Sequence, residues 1–252
     1  MKATFLPFLL LLSIQVEARV FDFKNEKVAS FLGGTAGLSN LKKMGYEFAG
    51  PTGLTFNDEA KYLYTGELGV LISMKSVNWR LGLELLRPHT PTDVAVKNAA
   101  QTTLYSLTSG VLGAGAVTYL DFILGGGPSN RFYLTIGAGY TKVTLKNEYI
   151  FTADGTTAYG LGPYTEEGSS WAYSAMAGAG WESVLADTVT FTFNLGYRYM
   201  LAQKFIHERE AQTLLGAVAP GQVMKNNDGT DRKLDLSSTW VGLGLRFYLR
   251  FL

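Results

Sequence analysis

From Val241 to Phe251 the chain alternates without a break. Val241, Leu243, Leu245, Phe247, Leu249 and Phe251 share one parity; Gly242, Gly244, Arg246, Tyr248 and Arg250 share the other. A period of two describes a strand whose two faces meet different surroundings. Six consecutive apolar positions on one face exceed what the edge of a soluble sheet needs. They suit a strand crossing lipid, where about 9–11 tilted residues span the hydrocarbon layer. The pattern predicts that residues 234–251 form the closing strand of a transmembrane β-barrel.

Bulk properties agree with that reading. The 252 residues carry 22 basic and 21 acidic side chains, a balance that argues against nucleic acid as a partner and against steering of a charged ligand. There is no cysteine, hence no disulfide framework and no thiolate nucleophile or metal ligand. Beyond the N-terminus no apolar run reaches the length of about 18 residues that a spanning helix requires. At the N-terminus, Lys2 precedes an apolar run from Ala3 to Ile14, followed by Val16-Glu17-Ala18. This is the layout of a secretory signal peptide, residues 1–18, cleaved after Ala18. A short polar periplasmic lead, 19–27, and a barrel domain, 28–252, would follow.

Eight strands are predicted, at about 28–38, 61–74, 79–87, 104–123, 131–146, 170–184, 188–201 and 234–251. The fourth is irregular, because Val111, Leu112, Val117 and Leu120 do not share a parity, and a bulge is expected there. Tight turns at Lys75-Ser76-Val77-Asn78, Gly125-Gly126-Gly127-Pro128-Ser129-Asn130 and Ala186-Asp187 alternate with long polar links at about 39–60, 88–103, 147–168 and 202–233. An even strand count with short periplasmic turns and long external loops is the rhythm of bacterial outer-membrane barrels. That orientation places Tyr62, Tyr64, Tyr140, Trp171, Tyr173, Tyr197 and Tyr199 at the outer end. Trp79, Phe132, Trp181, Phe247 and Phe251 fall at the inner end, with aliphatic residues between. Two aromatic girdles around an aliphatic band are what a bilayer selects. The fold expected is all-β, an eight-stranded antiparallel up-and-down transmembrane barrel in a Gram-negative type of outer membrane.

The chain resembles the eight-stranded outer-membrane barrel superfamily of the OmpA, OmpX and OmpW type. The resemblance covers the mature chain from about Val28 and rests on the leader, the strand and loop rhythm, and the aromatic-ended last strand. It implies that Leu245, Phe247, Leu249 and Phe251 form the signal read by the barrel-assembly machinery. One departure is that Leu252 follows the aromatic on which the family usually ends. Likeness to OmpW in particular implies a narrow channel or transporter for small, including hydrophobic, solutes.

The inward parity collects Glu67, Glu84 and Glu182 with Arg80, Arg198, Arg246 and Arg250. Charges in so narrow a lumen must be paired or watered, so these seven are expected to form a polar network plugging the barrel. Glu182, Arg80 and Arg246 should lie low, and Glu67, Glu84 and Arg198 near mid-height. Trp240, near the outer end, and Leu71 and Leu86, assigned to the inner end, are apolar residues on the same parity. The two histidines, His89 and His207, lie in or beside external loops. Lipid-A-modifying barrels pair such a histidine with a serine or carboxylate, but Glu208 adjoins His207 and so points to the opposite face. No catalytic, cofactor or metal site is expected, since metal ligands would have to cluster. The glycine runs lack the strand–loop–helix setting and lysine of a phosphate loop.

The external loops remain as candidates for binding. The first carries Lys42, Lys43, Tyr46, Phe48 and Phe56; the third carries Tyr149, Phe151, Tyr159 and Tyr164; the fourth holds a short helix over Ile206–Leu215. The function expected is that of a small outer-membrane barrel with a structural or surface-interaction role and a plugged polar lumen. Its partners would be lipid, lipopolysaccharide, the barrel-assembly machinery and an external ligand or adhesion partner at the loops. The channel is the alternative. A soluble exported barrel of lipocalin type would invert the faces and leave the aromatic girdles unexplained.

Overall fold

The structure, a computed structural model, describes residues 21–23, 25–42, 60–89, 93–226 and 229–249. The leader, Lys43, Tyr46, Phe48 and Phe56 of the first loop, and Arg250 and Phe251 lie outside the described residues.

Eight long strands run in chain order: β1 Val28–Lys42, β2 Ala60–Met74, β3 Val77–Pro88, β4 Thr103–Gly126, β5 Asn130–Phe151, β6 Tyr164–Ala186, β7 Val189–Gln203 and β8 Ser238–Leu249. Each pairs antiparallel with its neighbour, and β8 pairs with β1 from Ser39↔Ser238 to Val28↔Leu249. The sheet is therefore a closed ring. Closure satisfies the wall N–H and C=O groups internally, the condition for a sheet to exist in lipid. The turns at 75–76, 127–129 and 187–188 are short, as the sequence pattern requires.

The outer face is apolar. Leu83 is 63% exposed and Leu68 56%, values a water-facing leucine belt would make costly. At the outer rim Tyr140 stacks on Trp171, 4.6 Å between centroids and 7° between planes, with Tyr173 beside it at 4.8 Å. At the inner rim Trp79, Phe132 and Phe247 face outward, and Trp181 sits against Phe191. Trp79 donates its indole N–H to Thr118 Oγ1 at 2.8 Å, leaving the ring to the belt.

Strands β4, β5 and β6 have 24, 22 and 23 residues, about twice the length a membrane needs. Their outer halves rise above the girdle and carry a cap. The short strand Val94–Lys97 adds to the edge of β4, and Ile206–His207 adds to β6. Between β5 and β6 lies helix α1, Ala153–Tyr159, capped by the Thr152 hydroxyl, which accepts from the Gly155 N–H. The fourth loop contains no helix at Ile206–Leu215. Its backbone groups pair instead with β6 and in the hairpin Ala211–Thr213/Gly216–Val218, where Gly216 takes φ 106°. A local sheet is the better outlet because the long edge of β6 offers partners there.

The bulge expected within β4 is also displaced. Pairing with β5 is continuous from Tyr105 to Ile123, and the register shifts only between Ile123 and Gly125. The parity of β4 is unbroken but masked. Leu112, Leu120 and Phe122 face lipid, while Val111, Val117 and Tyr119 face an interior that is itself partly apolar.

Candidate functional site

The lumen is built in layers. At the periplasmic end the segment before β1 folds under the barrel. Phe21 meets Phe23 at 4.9 Å and Tyr248 at 5.2 Å, edge to face, and both join Ala29, Phe31 and Leu71. The lead is thus an aromatic lid, not merely polar. Leu71 belongs to this inner closure, whereas Leu86 lies at the opposite, outer end. The outer placement follows from β3 running outward from its turn at Val77 to Pro88.

Above the lid sits a charged layer. Arg80 grips Asp121 with Nε and Nη2, each 3.0 Å from a carboxylate oxygen. Arg246 donates to the same Asp121 at 2.9 Å and to Glu182 at 2.7 Å. Arg131 donates to Glu182 at 2.7 Å, and Tyr248 donates its hydroxyl hydrogen to Glu182 at 2.9 Å. Thr135 completes the shell of Asp121 at 2.8 Å. Asp121 and Glu182 have no exposed surface. Two carboxylates and three guanidiniums in a chain of charge-assisted bonds are held as one unit.

At mid-height Glu84 accepts from Arg198, and Tyr119 donates to Glu67 at 3.1 Å. Glu67 and Glu84 are directly opposed on β2 and β3, an arrangement that costs energy unless a cation stands between them. The lumen tyrosines lie flat because the facing strands offer no side chain. A Cβ on Gly137 would meet the Tyr119 ring at 2.4 Å, and one on Gly180 the Tyr133 ring at 2.3 Å. Arg80 in turn packs its guanidinium over Tyr119 at 4.2 Å and Arg246 over Tyr133 at 5.1 Å.

The structure thus brings Arg80, Glu182 and Arg246 into one cluster, and Glu84 and Arg198 into another. Glu67 lies beside the second, held by the Tyr119 hydroxyl. Asp121 and Arg131 were not among the expected residues, yet Asp121 is the node of the lower layer. Its inward parity was readable from Val117 and Tyr119 once β4 is taken as regular. Arg131 was readable from the parity of Tyr133 and Thr135 on β5.

The outer half of the lumen is mainly apolar, with Thr141, Ser170 and the Ser109–Asn147 pair as buried polar exceptions. Leu41, Leu63, Leu86, Val111, Val143, Leu145, Ala172 and Met200 line the wall, and Phe205, Met224, Leu234 and Leu236 from the fourth loop fill it. The polar lumen expected is therefore polar at the heights where its charges were placed, and the outer half is an addition to that reading. The charges occupy the lower and middle levels, and loop residues fill the top.

The cap has its own buried polar cluster. Glu166 accepts from Arg232 at 2.7 Å and from Tyr149 at 3.3 Å, and His207 Nε2 stands 3.8 Å from Glu166. Burial holds the His207 imidazole below its ordinary pKa, with Arg232 adding to the effect and Glu166 opposing it. Glu208 points away to Lys142 at 3.0 Å, and hydrogen bonds from Ser169 and Lys142 hold its carboxyl low. His89 is exposed. Tyr149, Phe151, Tyr159 and Tyr164 pack with Tyr105 in the cap core and do not splay outward as loop aromatics; Tyr149 stacks on Tyr164 at 4.4 Å. Among the described residues no group of three or more acidic or histidine side chains is placed to hold a metal.

A closed eight-stranded antiparallel ring with an apolar belt and aromatic rims is an integral outer-membrane β-barrel. No protein-family model matches the sequence, and no curated protein matches it. Several solved structures are similar. The crystal structure of Neisserial surface protein A is 10% identical, covers 89% of this chain and 100% of its own, and has a TM-score of 0.39. A major outer membrane protein from Thermus thermophilus is 13% identical over 87% of this chain and 99% of its own, with a TM-score of 0.47. The outer membrane protein OprG from Pseudomonas aeruginosa is 15% identical over 89% and 98%, at 0.40. The fold stands on the closed ring of strands itself.

Proposed function

We propose that this protein is a sealed outer-membrane barrel with a structural or surface-interaction role, in which the wall anchors and the cap presents. The observation that carries this reading is closure at successive depths: aromatic lid, charged layer, Glu84–Arg198 pair and apolar plug. An eight-stranded lumen is only wide enough for side chains, and here they occupy it at the lid, the charged layer and the plug. The same geometry favours no reaction, because His207, buried beside the Glu166 carboxylate, is tied into the cap with Arg232 and Tyr149 as the other members of its cluster. Lipopolysaccharide is the natural neighbour of the outer girdle, and Leu245, Phe247 and Leu249 share the outward parity of β8, where assembly factors would read them.

A second reading is favoured by the apolar outer half of the lumen. If Phe205, Met224, Leu234 and Leu236 withdraw, that space would admit a small hydrophobic solute. Uptake into proteoliposomes separates the two. Sealed barrels should pass neither small sugars nor indole-sized apolar solutes above the rate of empty liposomes. Protein-dependent uptake of the apolar solute, enhanced by deleting the fourth loop, would sink the sealed reading in favour of the second.

A further inference from the structure

The segment before β1 doubles back under the barrel. The Asp22 carbonyl accepts from the N–H groups of Asn25 and Glu26, at 2.9 and 3.3 Å, which makes the turn. The Lys27 carbonyl then accepts from the Ser73 N–H at 2.6 Å and ties the lead to the end of β2. The two lead phenylalanines rest on residues drawn from around the ring: Ala29 and Phe31 on β1, Leu71 on β2, Arg131 on β5, Val184 on β6 and Tyr248 on β8. Phe21 meets Tyr248 edge to face at 5.2 Å. The Arg131 guanidinium lies 4.2 Å from the centre of the Phe23 ring, and the same side chain donates to the Tyr248 hydroxyl. Ala29 and Tyr248 are register partners across the β1–β8 seam.

In a sheet that has not yet closed, β1 and β8 are its two opposite edges, and the seat of the lid is divided between them. Joining residues 21–23 to residue 248 is disfavoured by loop-closure entropy until β8 has paired with β1. We propose that the lead is a latch on the closed ring: Phe21 and Phe23 seat after β8 pairs with β1 and hold that seam against reopening. Contacts that are absent from the transition state of closure slow its reversal and leave its forward rate alone. A lid that formed with the folding nucleus would instead set the folding rate, and a lid with no hold on the seam would set neither. The latch acts at the periplasmic end whether or not the lumen above it conducts, so it stands apart from the sealed reading.

The chain has no cysteine, so Ala29→Cys places a single thiol behind the lid, where Ala29 has no exposed surface. In the full chain folded into lipid nanodiscs, which leave both ends of the barrel in water, a water-soluble maleimide should not modify this thiol. Adding Phe21→Ala and Phe23→Ala should open it to modification while unheated samples keep their compact gel mobility. During refolding into vesicles, protection of the thiol should follow compact mobility. In urea the Phe21→Ala/Phe23→Ala variant should unfold at least about tenfold faster than the wild type and fold within about twofold of its rate. If that variant does not fold, Phe23→Leu, which removes only the ring beside Arg131, should give a smaller rise confined to the unfolding rate. Folding slowed in step with the faster unfolding overturns the proposal, as does an unchanged unfolding rate. Protection that precedes compact mobility, or a thiol that reacts freely behind the native lid, overturns it as well.

Discussion

Asp121 offers the sharpest test of how the lumen is held. It accepts two bonds from Arg80, one from Arg246 and one from Thr135, with no exposed surface. Its layer holds Arg80, Arg131 and Arg246 against Asp121 and Glu182, an excess of one positive charge. Asp121→Ala would leave three cations against one anion and deprive Arg80 of its bidentate partner. Breaking one buried pair in this way costs about 3–5 kcal/mol. That is a large part of the roughly 5–15 kcal/mol by which folded domains are typically stable. Asp121→Asn keeps the shape and one accepting oxygen, so it should cost less, though still above about 1.5 kcal/mol, the lower end for a charged hydrogen bond. The assay is reversible urea unfolding from lipid vesicles, followed by tryptophan fluorescence and by the mobility of unheated samples. Exposed Asp154, in the first turn of α1, is the control, since a helix-end charge contributes at most about 1 kcal/mol. A fully folded Asp121→Ala variant within about 1 kcal/mol of the wild type would refute the claim that these charges act as one buried unit.

Three further outcomes follow from the same geometry. Leu83→Arg places a cation at mid-belt and should cost about 2–4 kcal/mol in a bilayer; a neutral effect would mean that this face does not meet lipid. Gly137→Val should push the Tyr119 ring off its strand and break its bond to Glu67, read as a shifted tyrosine resonance with the gel mobility retained. His207 sets a pH dependence. Its folded pKa lies below the ordinary 6.5, so the cap is fully stable above that value. It loses stability as pH falls from 6.5 through the lower folded value, because the opened cap takes up the proton first. Protease cleavage of the fourth loop should therefore accelerate under mild acid, and His207→Phe should flatten the profile; a cleavage rate independent of pH between about 7 and about 5 would contradict it.

The wall of this barrel was legible because lipid imposes one rule on every outward residue. Strands with a polar inner face, such as β7 with Thr190, Thr192, Asn194, Gly196 and Arg198, gave both parity and limits. β4 did not, because its inner face carries Val111 in the wall of the apolar plug and Val117 below it, so both faces read as hydrophobic. The loss of parity there also hid Asp121. The longer extents of β5 and β6 escaped notice for a related reason. Above the membrane, Tyr149 and Glu166 answer to a local core that includes Arg232, 66 residues on from Glu166, and no periodic signal encodes such a contact. The helix expected at 206–215 failed because the open edge of β6, which nothing in that segment announces, supplies its hydrogen bonds. The inner lid came as an addition to the pattern: Phe21 and Phe23 precede the first strand and gain their meaning from Tyr248 at the far end of the chain.

The most direct test of a sealed lumen is electrical. Purified protein inserted into a planar bilayer should leave the membrane at its baseline conductance across the range of applied potential. Deleting the plug-forming part of the fourth loop together with Arg198→Ala should leave that baseline unchanged, because the charged layer and the aromatic lid still close the lumen below. Stable steps from the unaltered protein, scaling with salt concentration, would contradict the account.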